Sequence, residues 1–137
     1  MINDFRGEYR WLSNFHYCEI EFEGITYPST EHAYQAAKTL NKYHRQMIAG
    51  LKTCREAKAE GYKVQLRPGW DQMKLGIMLG LLWQKFNRHP DLREKLKATG
   101  TQDLVEGNTW GDRFWGVCEG TGENWLGRLL MEIRADL

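Results

Sequence analysis

From Trp70 onward, Met73, Ile77, Leu81, Leu82 and Phe86 recur at helical spacing. A strand sends successive side chains to opposite faces and could not bury these five together, whereas a helix gathers them on one stripe. These five mark the apolar face of the longest helix expected in the chain. Gly76 and Gly80, four apart within it, predict another element packed closely against that helix. The opposite period occurs once. Cys18, Ile20 and Phe22 alternate with Glu19, Glu21 and Glu23, the pattern of a half-buried strand. Gly24 and then Ile25-Thr26-Tyr27 turn it into a short hairpin.

Further helices are marked by their ends. Pro28 and the hydroxyls of Ser29 and Thr30 precede good helix formers, so a helix begins near Thr30, capped by Ser29 or Thr30, and runs to about Thr39. Asn41 caps a second that stops at Gly50, and a third covers Thr53–Glu60 before Gly61. Pro90 opens another of roughly nine residues, ended by Gly100. Extended pieces are expected at Leu104-Val105 and Phe114–Cys118 in a Gly-rich, aromatic stretch. A final helix from about Asn124 buries Leu126, Leu129, Leu130 and Ile133. The expected class is α+β, a helix-rich single domain over residues 1–137 with a small β-sheet.

Composition narrows the function. At 137 residues, 42% hydrophobic with six Trp, the chain can bury a core. A net charge of +1 excludes a strongly electrostatic nucleic-acid binder, though not a local basic patch. Cys18, Cys54 and Cys118 form no CxxC and have no metal-site spacing with His, so they read as thiols of a reducing, cytoplasmic setting. No metal and no cofactor are expected. The first residues lack a signal peptide's apolar core, and the apolar stretch Ile77–Trp83 is far short of a membrane span.

Two segments carry the chemistry. In Tyr27–Lys38, Glu31, Gln35 and Lys38 follow i, i+4, i+7 and share a helix face, so a carboxylate, an amide and an amine can form the polar wall of a pocket. In Glu106–Gly116, Trp110, Asp112 and Trp115 alternate with Gly, bringing rings and a carboxylate to backbone that a ligand can approach. The expectation is a pocket where Asp112 or Trp110 joins the Glu31 face. Each residue has a plainer reading. Glu31 is an acid in a first turn, where the helix dipole favours it. Asp112 is a turn aspartate or the partner of Arg113, the Trp residues are core, and Asn14 is an Asx-turn residue. His32 lies one position from Glu31, points elsewhere, and reads as structural. Gly120–Asn124, before the last helix, is weak evidence for a phosphate site.

Tyr27–Lys38, Leu12-Ser13-Asn14-Phe15, Trp70 with Lys74, Trp110-Gly111-Asp112 and Asn124-Trp125-Leu126-Gly127 resemble the YbiA-like, or NADAR, family, in order and over nearly the whole chain. The resemblance implies N-glycosidase chemistry on phosphorylated ribosylamines of the riboflavin pathway, or removal of ADP-ribose from guanine, which can lie within nucleic acid. It implies Glu31, Asp112, Lys38 and Lys74 as catalytic residues. It implies Ser13, Asn14, Gln35, Trp70, Trp110 and Asn124 as substrate-binding ones. Family members often carry Lys where Glu123 stands, which weakens a phosphate role for that turn.

Cleavage of such a bond needs a protonated leaving amine and a stabilised C1′. Glu31 can supply the proton if burial raises its pKa, and Asp112 can orient water or ribose hydroxyls. Alternatively the sugar opens to an imine that neutral Lys38 or Lys74 attacks, giving a Schiff base. Both routes stay open at this point. So do two other classes: a non-catalytic module binding NAD or ADP-ribose, and a small interaction protein with no protein partner specified.

Overall fold

Why the helices start where they do is visible at their first turns. The computed structural model describes residues 1–137. Its elements are β1 (Tyr17–Phe22), β2 (Ile25–Ser29), α1 (Thr30–Ala37), α2 (Lys42–Ala49), α3 (Cys54–Gly61), α4 (Trp70–Arg88), α5 (Pro90–Ala98), β3 (Gly107–Asn108), β4 (Val117–Cys118) and α6 (Trp125–Ala135). Ser29 caps α1 through its hydroxyl, which accepts from the His32 amide at 3.1 Å. Asn41 caps α2 in the same way at His44, 3.0 Å. Thr53 and Glu56 close a reciprocal capping box on α3, which satisfies two amides that a helix start otherwise leaves orphaned. Pro90 stands first in α5, where its missing N–H costs nothing.

The chain divides into two compact units. One comprises Asn14–Lys85 and holds β1 to α3 with most of α4. β1 and β2 pair antiparallel across Glu23 and Gly24, both at positive φ, as a tight primed turn requires. The outer edge of β1 is closed by a side chain: the Gln84 amide donates to the Glu21 carbonyl at 2.7 Å and accepts from the Glu21 N–H at 2.6 Å. That mimics a strand partner and blunts an edge otherwise open to pairing. α1 touches β1, β2, α2 and α3, and all eight of its residues are buried. Its alanines, Ala33, Ala36 and Ala37, let those neighbours come close.

The expectation for Gly76 and Gly80 needs correction. A Cβ at either would meet nothing within 4 Å. Both glycines instead border a groove of 580 Å³ whose walls include Phe22, Met73, Ile77 and Leu81. A four-residue glycine spacing permits close approach but does not recruit a neighbour. Here the hairpin touches α4 through Gln84, one turn beyond Gly80.

The other unit comprises Met1–Ser13 and Phe86–Leu137. A short 3-10 helix, Gly7–Leu12, presents Trp11 edge-on to Phe86 with ring centroids 6.3 Å apart. Ile2 bridges in parallel to Leu104. The extended pieces differ from expectation. Leu104 makes only that isolated bridge, and the ladder is two residues long, Gly107–Asn108 against Val117–Cys118 in parallel. Arg134 of α6 ties the end of α5 to the following turn, donating to Thr99 Oγ1 at 3.0 Å and the Gln102 carbonyl at 2.8 Å. The architecture is α+β and helix-rich. No helix is long and apolar enough to cross a membrane.

Candidate active site

The Asn14–Lys85 unit gathers Glu31, Gln35, Lys38, Asn14, Trp70 and Lys74. Glu31 lies in the first turn of α1, only 8% exposed, and its backbone N–H donates to the Asn14 carbonyl at 3.1 Å. One turn on, Gln35 donates its side-chain amide to Glu31 Oε2 at 2.5 Å. The i, i+4 spacing read from the sequence thus forms a direct contact between two buried polar side chains. Gln35 is held there by α3. A Cβ at Gly61 would sit 1.8 Å from Gln35 Oε1, so only glycine leaves room for this amide. The price of that fit is a buried carbonyl oxygen, Gln35 Oε1, with no hydrogen-bond partner. Asn14 is likewise buried, with its amide nitrogen 3.6 Å from Met78 Sδ and its Oδ1 unpartnered.

Lys38 ends α1 as its C-cap. Its ammonium lies 5.6 Å from the Tyr34 ring centroid and 5.5 Å from that of Tyr62. Burial holds its pKa below the ordinary lysine value; Glu31 pulls it back up, while Lys58 and Lys74 push it down. Lys38 therefore feels one buried carboxylate of α1 and two lysines, Lys58 of α3 and Lys74 of α4. Trp70, at the first position of α4, packs its ring 5.4 Å from that of Tyr34. Lys74, one turn along α4, pairs with Asp71 at 3.4 Å.

His32 is engaged at both ring nitrogens. Nε2 donates to the Leu51 carbonyl at 3.0 Å, so Nδ1 accepts from the Ser29 hydroxyl at 2.6 Å. Cys54 Sγ lies 3.3 Å from the same hydroxyl. Desolvation lowers the His32 pKa, against the opposing pull of its Leu51 bond and of Glu56. These contacts pin the start of α1 to the chain before α3.

Ser13, Trp110, Asp112 and Asn124 belong to the other unit. Asp112 Oδ1 accepts the backbone N–H groups of Phe114 at 3.1 Å and Trp115 at 2.9 Å. Asn108 accepts from Asp112 N at 3.0 Å and donates to Asp112 O at 2.8 Å. Asn124 stands in the left-handed region before α6 without capping it. Its side chain instead donates to the Leu104 carbonyl at 2.9 Å and accepts from Glu106 N–H at 3.0 Å. Trp110 is 57% exposed, and Ser13 ends the 3-10 turn with its N–H on the Arg10 carbonyl. Nowhere do three or more His, Cys, Asp or Glu side chains converge as metal ligands, and no disulfide is formed.

Sequence reasoning passed over Tyr34, Lys58 and Tyr62, and took Gly61 only for a helix stop. Tyr34 lies inside the Tyr27–Lys38 segment and was within reach. Nothing local connects Lys58 or Tyr62 to α1, because their juxtaposition depends on how α3 packs.

A sequence model of the NADAR domain matches residues 3–137. The chain belongs to the NADAR family. It is 38% identical to the N-glycosidase YbiA of Escherichia coli K12 over 133 residues, 95% of this chain and 82% of that protein. It is 36% identical to an N-glycosidase of Nostoc punctiforme, across 94% of this chain and 86% of that one. A riboflavin biosynthesis protein of Vibrio vulnificus matches at 32% over 93% of the chain, which there makes up 35% of the longer protein. The solution structure of E. coli YbiA superposes with a TM-score of 0.84 at 34% identity, covering 99% of this chain and 86% of that one. This NADAR chain is an enzyme, a hydrolase of the N-glycosidase class.

Proposed function

We propose that the enzyme hydrolyses the bond between C1′ of a phosphorylated ribose and an amino group of a pyrimidine or guanine base. The ribose carries a 5′-phosphate, as in riboflavin-pathway intermediates, or an ADP group, as in ADP-ribosylated guanine. Similarity to a protein named for riboflavin biosynthesis supports the first. The observation that carries the reading is the buried Glu31 carboxylate, gripped by Gln35, with the Lys38 amine in its field. No metal or redox group has a role in this chemistry. A small phosphorylated substrate and three thiols outside any disulfide suit a cytoplasmic enzyme.

Of the two routes, the surroundings of Lys38 favour the Schiff base. Opening the ribose ring of a glycosylamine places a C=N bond at C1′ and a proton on O4′. Burial and the neighbouring lysines raise the neutral fraction of Lys38, and only a neutral amine has the lone pair to attack C1′. Glu31 delivers a proton to the departing amine as its C–N bond breaks, leaving the sugar as an imine on Lys38. Water then adds to that imine, and expulsion of Lys38 frees the sugar aldehyde. Net consumption is one water. Gln35 keeps the Glu31 carboxyl oriented as it delivers that proton. Lys74, paired with Asp71, adds positive charge for the phosphate rather than a nucleophile. The test is borohydride reduction during turnover, followed by peptide mass spectrometry. A sugar-derived mass on Lys38 is expected. A label on Lys74 would transfer the nucleophile, and no label under full turnover would return the reaction to direct hydrolysis.

A further inference from the structure

Tyr62 lies directly after α3 as its C-cap and is 79% exposed, yet its ring centroid is 5.5 Å from the Lys38 ammonium. An exposed tyrosine is ordinary on a protein surface. Its position beside the site's amine is not, and the packing of α3 explains how it arises. Gly61 lies against Gln35 without a Cβ, so the end of α3 closes on α1 and carries the next residue to Lys38. Tyr34, the other ring facing this ammonium, is buried and backed by Trp70. Of the two rings, only Tyr62 keeps most of its surface available to a ligand. A flat, electron-rich ring at that place is suited to a heteroaromatic partner, since every nucleobase has a face to stack.

We infer that Tyr62 is the stacking platform for the leaving base, and so a specificity-determining residue of the glycosidase. The inference rests on the proposed reaction for the identity of the ligand: a substrate whose C1′ reaches Lys38 has its base one bond further on, within range of the neighbouring ring. Tyr62 thereby separates recognition of the base from recognition of the phosphorylated sugar. It favours substrates whose leaving amine is carried on an aromatic ring over those with an aliphatic amine.

Calorimetric titration of the whole protein with a free aminopyrimidinone base, and separately with ribose 5-phosphate, tests this. Tyr62→Ala should weaken binding of the base roughly 5- to 150-fold, the range expected for loss of one stacked ring. It should leave ribose 5-phosphate affinity and the melting temperature near those of wild type. Tyr62→Phe should restore what alanine loses. Tyr43→Ala serves as control, removing a tyrosine of α2 that is 89% exposed. Equal base affinity in wild type and Tyr62→Ala would overturn the inference, as would parallel losses for base and sugar phosphate. A wild-type enzyme that binds the base but turns over neither ribosylamine phosphate nor ADP-ribosylguanine would overturn the reaction alone, with the Tyr62 comparison still decided by the titrations.

Discussion

Helix α1 and the Gly-rich segment from Glu106 to Asn124 are built from similar polar residues and use them differently. In the segment, Asn108, Asp112 and Asn124 engage the main chain: Asn108 and Asp112 hold each other and the Phe114 and Trp115 amides, and Asn124 bridges Leu104 and Glu106. Short strands of two residues provide few ladder bonds there, so side chains take over the task of satisfying backbone groups. In α1 helical bonds serve most of the backbone, with the Ser29 hydroxyl and the Asn14 carbonyl serving the first turn. Glu31 and Gln35 bond each other, side chain to side chain, in a buried setting. A buried carboxylate held by a neighbouring side chain is a setting in which acid–base groups are found. The same residue types bond to main chain in one region and to each other in the other, and we propose that the second arrangement supplies the reagent.

That contrast can be broken by substitution. The largest effect is expected at Glu31→Gln, where an amide keeps the shape and the contact to Gln35 but cannot transfer the proton. Steady-state turnover should fall roughly 10²–10⁴-fold with little change in substrate affinity or melting temperature. Near-normal turnover would shift the acid to Asp112 or Glu106 and erase the contrast. Next is Asn108→Ala, which strips part-buried backbone groups of Asp112, Glu106 and Val117 of a partner. A stability loss on the order of 1–3 kcal/mol in denaturant melts is expected. A wild-type midpoint would show that the segment is held by other means.

The smallest effect sharpens the comparison within α1 itself. His32 is one residue from Glu31 but bonded to Leu51 and Ser29, so it should behave as scaffold. Its folded pKa lies below the ordinary value of about 6.5. Below that value the unfolded chain takes up a proton that the folded chain resists. His32's contribution to stability is therefore complete above about pH 6.5 and declines as pH falls toward the lowered folded value. Melting temperature measured from pH 7.5 to 5 should drop less steeply in His32→Asn than in wild type. Parallel profiles would assign the acid sensitivity to other groups.

Local chemistry was legible wherever a single turn decides the outcome. Ser29, Asn41, Thr53 and Pro90 start the helices they were expected to start, because a cap bonds within three residues of itself. The Glu31–Gln35 contact was legible for the same reason, being one turn of helix. The 3-10 turn Gly7–Leu12 carries no such mark, and the ladder between Gly107–Asn108 and Val117–Cys118 needs partners ten residues apart with no periodic run to announce them.

Glycine shows where sequence stops and tertiary structure begins. Gly61 reads as a helix stop, and it does end α3, but its larger use is to admit the Gln35 amide. Gly76 and Gly80 read as a contact face, and they border an open groove. A missing side chain creates space, and the sequence records that space without saying what fills it. The sequence alone determined the family motifs, the helix starts and the face shared by Glu31, Gln35 and Lys38. The packing of α3 and α4 against α1 decided that Lys58 and Lys74 would press on Lys38 and that Tyr62 would stand beside it, since electrostatic and aromatic contacts depend on distance in space rather than along the chain.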